Sequence, residues 1–317
     1  MKKCVLLIIA LMHIWLLPVE AAETLVPVGT VVGLELENKT VTVAAFDTQS
    51  QAKTAGLREG DRILSMNGKP ISCAEDVRKG LACSHGSVEL LVQRKEKTLR
   101  ITVAPEITAE GPKLGVYLKE GVTGIGTITY YDPETGIFGT LGHGVNDGNG
   151  TLIQLTGGKA YEAKIASVRK GKSGQPGQLV GSLTQREPMG SLYRNTTQGV
   201  FGKTHRKPQG EAIPVANADQ IHTGSAVILS TVAGDTPQEY SVEILKVYSS
   251  GRGGGRNMLL KVTDPTLLET TGGIVQGMSG SPIIQDGKLI GAVTHVLVND
   301  PTTGYGIFIE NMLNAAA

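Results

Sequence analysis

Short runs of β-branched residues, separated by turn-forming residues, recur along this whole chain and constrain its fold more than any other feature. Valine, isoleucine and threonine fill the runs, and Gly, Asn, Asp and Pro separate them. Glycine accounts for 42 of 317 residues, about twice its usual share, and aromatic residues for only 4%. Such runs are typical of short β-strands, so the sequence predicts a mainly β protein. Its length is enough for two domains, each with its own core.

Charge and motif content argue against several classes of function. Thirty basic and 29 acidic residues leave a formal charge of +1, and no Lys/Arg cluster is interleaved with aromatic residues, so we expect no nucleic-acid partner. His205 and His222 have no cysteine or carboxylate at metal-ligand spacing. The chain also has no phosphate-binding glycine loop and no dinucleotide fingerprint. We therefore expect catalysis, if any, without a metal or another cofactor.

A serine between glycines near the C-terminus has the local chemistry of a nucleophile. Ser279 lies in the segment Gly-Met-Ser-Gly-Ser-Pro over residues 277–282 and is followed by a β-branched run. Glycine lets the backbone turn sharply, so the N–H groups of Gly277 and Ser279 could point at one spot and hold an oxyanion. By itself the segment also fits an ordinary Gly-Ser turn between two strands.

A second motif supplies a candidate base. His143 lies between two glycines, directly after the apolar stretch Ile137–Leu141, and its glycine neighbours favour exposure to a cleft. A third residue, a buried acid, would orient the imidazole. Asp264 follows a strand-like run and precedes a proline. The chemistry of the residues does not separate it from four other acids, Asp132, Asp147, Asp219 and Asp235.

The segment Ala55–Ile71 resembles the signature of bacterial PDZ domains. The turn dipeptides Gly60-Asp61 and Asn67-Gly68 flank an alternating strand over Arg62–Met66. A capped helix and two more strands follow. The resemblance implies a domain that adds an extended peptide to an open sheet edge. We expect the loop that captures a terminal carboxylate to contain Val32, Gly33 and Leu34.

Together these segments resemble the stage IV sporulation protein B peptidase family. The resemblance covers roughly residues 23–315, and it includes the motifs around His143 and Ser279 and the segment Gly-Ala-Val-Thr-His-Val over 291–296. It implies a chymotrypsin-like double β-barrel after an N-terminal PDZ domain. It also implies Ser279 as nucleophile, His143 as base, Asp264 as acid, and Gly277 with Ser279 as the oxyanion hole. His295, in the last segment, fits a substrate-contacting and a structural role equally.

The expected domain order begins with an export signal. Two lysines precede the apolar stretch Val5–Leu17, which is short for a membrane span, and small residues follow. We expect residues 1–22 to be a signal peptide or a membrane anchor. The expected PDZ domain spans 23–105, the linker 106–112 and the peptidase domain 113–317.

The family resemblance also implies a biological role. It describes an exported serine endopeptidase of endospore formation that acts in the space between the forespore membranes, either free or held at a membrane by its N-terminal segment. Its substrate would be a membrane-embedded regulator of an intramembrane metalloprotease that activates a late sigma factor, and it would also cut itself. Two other functions remain open, a quality-control protease of the envelope and a catalytically silent PDZ adaptor.

Overall fold

The computed structural model describes residues 24–147, 150–249 and 256–317, so the expected signal segment lies outside the described residues. Within them, no helix is long and apolar enough to cross a membrane. The described residues form four α-helices, α1 Gln51–Thr54, α2 Ala74–Ala82, α3 Pro265–Thr271 and α4 Ile309–Ala316, and one short 3-10 helix, Ala218–Gln220.

The described strands range from two to 16 residues in length. In chain order they are β1 Thr24–Pro27, β2 Val31–Phe46, β3 Arg62–Met66, β4 Lys69–Pro70, β5 Val88–Arg94, β6 Lys97–Val103, β7 Glu106–Thr108, β8 Gly111–Lys113, β9 Val116–Tyr131, β10 Ile137–Thr140, β11 Gly157–Arg169, β12 Gln178–Leu183, β13 Gly190–Thr196, β14 Gly199–Thr204, β15 Ile213–Pro214, β16 Gly224–Ser230, β17 Gln238–Val247, β18 Met258–Val262, β19 Pro282–Gln285, β20 Lys288–Leu297 and β21 Asp300–Phe308.

Six strands close the first barrel. Antiparallel pairings run through β9, β10, β14, β13, β11 and β2, and the pairing of β2 with β9 completes the circuit. The interior is apolar because alternate residues of each strand point inward. Leu34 and Leu36 of β2, Ile128 of β9, Phe138 of β10 and Val200 of β14 are buried there.

A second set of six strands also closes on itself. Its order is β16, β17, β18, β21, β20 and β19, and its core contains Ile228, Val242, Leu260, Ile283 and Phe308. Closure removes exposed sheet edges in both barrels. The predicted fold class, mainly β with a PDZ domain and a chymotrypsin-like double barrel, is confirmed.

The PDZ domain has a separate core around α2 and strands β3 to β6. β3 spans Arg62–Met66 as predicted. The next two residues, Asn67 and Gly68, have φ of 49° and 77°. Positive φ at both central residues is the requirement of a type I′ turn, and Asn-Gly is the pair that meets it best. The local sequence therefore accounts for this hairpin.

The PDZ domain is inserted into the first barrel, which differs from the predicted boundaries. β2 and β9 are each 16 residues long and belong to both domains. Their pairing ends on the barrel side at Leu36 with Val122 and resumes on the PDZ side at Val41 with Glu120. Residues 24–36 thus lie in the peptidase part, although the sequence assigned them to the PDZ domain. The expected linker, residues 106–112, contains β7 and the start of β8.

Val32, Gly33 and Leu34 do not form the PDZ carboxylate loop, and that prediction is wrong. On one edge they pair with β9, and on the other edge they pair with β11. Because both edges are occupied, no peptide can add a strand there. A Val-Gly-Leu sequence resembles a PDZ loop, but here it is the interior of a barrel strand.

Candidate active site

The loop that carries Ser279 runs from α3 to β19 and is held against the first barrel. The Thr127 amide donates to the Ser279 carbonyl oxygen at 3.0 Å. The Thr127 and Thr129 hydroxyls donate to the carbonyl oxygens of Gly277 at 2.8 Å and Gly280 at 2.7 Å. The loop comes from the second barrel and its partners belong to β9, so these bonds place Ser279 between the two barrels.

Glycine at 280 permits this close approach. Gly280 has φ of +97°, and a Cβ added to it would lie 2.1 Å from the Thr127 carbonyl oxygen. Real Cβ atoms do not approach a backbone atom that closely, and the φ value is itself unfavourable for other residues. Gly277 also has a positive φ, of +100°. The glycines on both sides of the serine are therefore needed for the path of the loop.

Two amide N–H groups of the loop remain available. The neighbouring amides of Met278 and Gly280 donate to the carbonyl oxygens of Val275 and Val293. By contrast, the amides of Gly277 and Ser279 donate to no other residue in the part of the chain that the structure describes. These are the two donors that the sequence assigned to the oxyanion hole.

The Ser279 hydroxyl is held by a backbone carbonyl. Its Oγ donates to the Thr294 carbonyl oxygen at 2.7 Å, and the side chain is half-buried. Nucleophilic attack needs this proton to be directed at a base instead. The hydroxyl must therefore rotate away from Thr294 before it can react.

His143 lies in the loop after β10, and its ring is oriented by the backbone. Nδ1 is 3.0 Å from the Gly144 carbonyl oxygen. A carbonyl only accepts, so this contact requires a proton on Nδ1 and leaves the lone pair on Nε2. Burial lowers the pKa of His143 below its ordinary value. The ring is therefore neutral near pH 7, as a general base must be.

Asn195 supports the loop behind His143 and was missed by the sequence analysis. Its Oδ1 accepts from the Val145 amide at 2.9 Å. Its Nδ2 donates to the carbonyl oxygens of Val145 at 2.8 Å and Ile153 at 2.9 Å. An isolated Asn in a strand carries no motif, so its role becomes visible only once the fold brings β13 to this loop.

His143 and Ser279 line one pocket at the junction of the barrels. Most of the wall is apolar and comes from the barrel ends of β2 and β9 and from the two site loops. The other lining residues are Leu34, Leu36, Val122, Gly124, Ile125, Leu141, Val145, Gln276 and Gly277. An apolar side chain of a peptide fits such a wall better than a charged one.

Among the described residues, Asp264 makes no hydrogen bond or ion pair with His143, and its carboxylate has other partners. Asp264 is the N-cap of α3 and its Oδ1 accepts from the Leu267 amide at 2.9 Å. Its Oδ2 accepts from the Ser241 amide at 3.4 Å. Asp followed by Pro at the first helical position is a common helix start. The sequence around Asp264 is explained by this cap.

The other candidate acids also have local partners. Asp132 accepts from the Thr135 hydroxyl, Asp147 from the Thr151 amide, and Asp235 from the Thr236 hydroxyl, while Asp219 lies in the 3-10 helix. Among the described residues no carboxylate forms an ion pair with His143. The described residues also contain no group of three or more His, Cys, Asp or Glu that could hold a metal ion.

A second histidine lies beside the first. The rings of His295, on β20, and His143 have centroids 5.1 Å apart and are tilted by 41°. Thr294, which holds the Ser279 hydroxyl, directly precedes His295. His143, the proposed base, is in contact with the His295 ring.

The PDZ domain has a groove at a place the sequence analysis did not predict. It lies between α2 and the residues that lead into β9, and Val77, Leu81, Leu114, Gly115 and Val116 are among the lining residues. The start of β9 pairs with β2 along one edge, and no described strand pairs with its other edge. This is the open edge that strand addition needs.

Comparisons with known proteins give matches to both the peptidase part and the PDZ domain of the chain. The model of the SpoIVB peptidase S55 family matches residues 110–313, and a PDZ domain model matches residues 42–94. The chain is 34% identical over 86 residues to a putative zinc metalloprotease of Rhizobium meliloti, 27% of this chain and 23% of that protein. It is 43% identical over 56 residues to serine protease HTR4 of Bos taurus, 18% of this chain and 11% of that protein.

These relatives and the family model differ in what they cover. The chain spans less than a quarter of the length of either curated relative, so each likeness concerns a segment. The family model, in contrast, covers more than half of the chain and contains both His143 and Ser279. The chain belongs to the SpoIVB peptidase S55 family, as its motifs predicted.

Proposed function

We propose that this chain is a serine endopeptidase that works by acyl transfer, with Ser279 as nucleophile and His143 as general base. One observation supports the proposal most directly. Ser279 and His143 line the same pocket, and the loop of Ser279 offers two unengaged amide N–H groups. The family and the name of the bovine relative support a serine protease as well.

The reaction follows from these groups. The Ser279 Oγ–H turns from Thr294 to Nε2 of His143, which takes the proton as Oγ bonds to the substrate carbonyl carbon. The carbonyl electron pair moves to oxygen, and the amides of Gly277 and Ser279 donate to that oxyanion. His143 then gives the proton to the leaving amine, and water repeats the sequence to release the acyl group.

Labelling with a fluorophosphonate tests the nucleophile, because an activated serine oxygen attacks the phosphorus of this reagent, displaces fluoride and becomes phosphonylated. We expect the wild type to be labelled and Ser279→Ala to lose labelling completely. Ser281→Ala is the matched control, since Ser281 is two residues away and its buried hydroxyl donates to Ser230. Labelling that persists in Ser279→Ala, or that disappears only in Ser281→Ala, contradicts the assignment.

We further propose that the chain is exported and acts in endospore formation. Its substrate would be a membrane-embedded regulator of an intramembrane metalloprotease, and it would also cleave itself. Membership of the SpoIVB peptidase family and the export-like residues 1–22 support this role. In this role the PDZ groove binds a segment of the substrate and brings it to the active site.

The pattern of cleavage tests this role. We expect mass spectrometry of the wild type to find one or a few discrete self-cleavage sites that are absent in Ser279→Ala. Extended degradation of unfolded casein to small peptides would instead favour envelope quality control. An intact chain and intact casein, with no fluorophosphonate labelling, would favour a silent adaptor.

A further inference from the structure

One edge of β9 is unpaired along the part of the strand that connects the PDZ domain with the first barrel. β2 pairs with the other edge from Val116 to Thr127, whereas β10 and β1 pair with β9 only from Ile128 onward. In the described part of the chain, no strand pairs with the second edge of residues 116–126, which we call the open edge. A long unpaired edge readily accepts another extended chain.

The open edge leads directly to Ser279. The Thr127 amide donates to the Ser279 carbonyl oxygen, so its N–H points away from β2, while the next amide, of Ile128, donates to the Thr30 carbonyl oxygen on the β2 side. Backbone groups of alternate residues in a strand point to the same side. The N–H and C=O groups of Ile125 and Thr123 therefore point outward along the open edge, next to the loop of Ser279.

The other end of the open edge lies in the PDZ groove. Leu114 and Gly115, the two residues before β9, line this groove. Their amides donate to no other residue in the part of the chain that the structure describes. A terminal carboxylate accepts hydrogen bonds and donates none, so it is the peptide end that fits two free amides. We therefore assign the capture of a C-terminus to Leu114 and Gly115.

These two ends determine the direction of a bound chain. A peptide with its carboxylate at Leu114 and Gly115 has its preceding residues along the open edge, so it runs antiparallel to β9. Antiparallel pairing is also the more stable of the two arrangements. The preceding residues then pass Thr123 and Ile125 and reach Ser279.

A contact between Glu120 and α2 crosses this route. The Glu120 carboxylate accepts from the Ala74 amide at the start of α2, which narrows the groove at its end nearer to the active site. The contact is exposed to solvent. Water or an incoming chain can therefore replace this hydrogen bond when a peptide enters the groove.

We propose that the enzyme holds the C-terminus of its substrate in the PDZ groove, pairs the preceding residues with the open edge, and cuts at a fixed distance upstream. One substrate residue lies opposite each residue of β9, so the cut bond is roughly 10–12 residues from the terminal carboxylate. This inference rests on the proposed acyl transfer by Ser279. It deepens the proposed role of the PDZ groove, because it gives the bound segment a direction and a length.

The apolar pocket beside Ser279 then receives a side chain that follows the cut bond. Val122, Gly124 and Ile125 line this pocket and precede Thr127 in β9. In an antiparallel chain, the residues opposite them lie C-terminal to the residue at Ser279. We expect an apolar residue within about three positions after the cut bond.

Two peptide libraries test the proposal with the full-length chain. Both contain randomised peptides of about 24 residues, long enough to cover the open edge and continue past Ser279. One library ends in a free carboxylate, and the other is identical but ends in an amide. Mass spectrometry gives the position of each cut, counted from the C-terminus, and Ser279→Ala provides the blank.

We expect the cuts in the carboxylate library to cluster roughly 10–12 residues from the C-terminus. In the amide library, cutting within this window should fall by about 10-fold or more, because hydrogen bonds to a charged group are lost. Cuts spread evenly along the peptides, or equal cutting of the two libraries, overturn the proposal.

Thr123→Pro tests the open edge itself. Proline removes one outward N–H and places its ring on the open edge, but it leaves the bonds to β2, which come from the alternate residues. Thr123→Ala is the matched control, since it keeps the amide. We expect the clustering to disappear in Thr123→Pro and to remain in Thr123→Ala. Thermal unfolding and fluorophosphonate labelling show whether each variant is folded and has an intact site.

The outcomes separate this proposal from the proposed function. A wild type that is neither labelled nor able to cut refutes acyl transfer by Ser279. A labelled enzyme that cuts without regard to the C-terminus, or that cuts neither library, overturns the open-edge proposal alone. Clustering that persists in a folded and labelled Thr123→Pro overturns it as well. If Thr123→Pro does not fold, the comparison of the two libraries still decides.

Discussion

Asp264 illustrates how a single residue can carry two competing interpretations. The family resemblance makes it the triad acid, and the structure makes it the N-cap of α3. The two roles respond differently to amide substitution. Asn caps a helix as well as Asp does, but it cannot replace a carboxylate beside an imidazole.

We therefore predict that Asp264→Asn retains the fluorophosphonate labelling rate within a few-fold and the stability of the wild type. Asp264→Ala should lower the free energy of unfolding by about 1 kcal/mol, because the Leu267 amide loses its acceptor. Urea unfolding and labelling rates check both. A loss of about 10⁴ in rate for Asp264→Asn, with stability unchanged, would restore the carboxylate to the catalytic machinery.

The sequence predicts the residues whose chemistry requires a local motif and misses those that depend on distant parts of the chain. Ser279 and His143 are each surrounded by glycines, and the signal lies within a few residues. Asn195 reaches the site from another strand, so no local pattern marks it. Asp264 could not be assigned from its neighbours alone, because an Asp-Pro pair after a strand fits a helix cap and a strand-end acid equally well.

At the scale of elements, the loop of Ser279 depends on how closely it approaches β9. Gly280→Ala should cost about 1–2 kcal/mol for its positive φ, and a further 1–3 kcal/mol for the contact with the Thr127 carbonyl. Gly56→Ala is the matched control, because Gly56 has φ of +102° and open space around it. Denaturant unfolding measures the difference, and labelling should fall only in Gly280→Ala. Equal losses of stability would contradict the steric argument.

Most strands could be predicted from local patterns, but their continuity could not. Arg62–Met66 is found as predicted because turn dipeptides mark both ends. Val116–Tyr131 is one strand, β9, although a glycine at 121 interrupts its run of strand-forming residues. Gly121 has φ of +69°, which is typical of a break between strands. In the structure it lies within β9, close to the Leu36 carbonyl of β2. The pairing with β2 on both sides of Gly121 shows that β9 is one continuous strand.

At the scale of the whole molecule, the insertion of the PDZ domain determines which deletions can fold. Deleting residues 24–105, the expected PDZ domain, would remove β2 and open the first barrel. Replacing residues 37–121 with Asn-Gly would instead join Leu36 to Val122, which already face each other in the ladder. That join is a two-residue hairpin with favoured turn chemistry.

We predict that the Asn-Gly replacement folds and is labelled at Ser279, whereas the 24–105 deletion does not fold. Circular dichroism, thermal unfolding and fluorophosphonate labelling check this, with Ser279→Ala in the replaced chain as the negative control. A folded and labelled 24–105 deletion would show that the first barrel does not need β2. Failure of both would show that the barrel needs the PDZ domain for its own stability.

The shared strands β2 and β9 also have a consequence for the order of folding. The two halves of the first barrel are separated along the chain by the whole PDZ sequence, and contacts between such distant segments form slowly. A PDZ domain that folds first holds its two ends side by side, at Val41 and Glu120. The conformational entropy of the long loop has then already been lost, during folding of the PDZ domain, before the barrel strands meet. During synthesis the inserted domain would serve as a template that sets the register of the barrel around it.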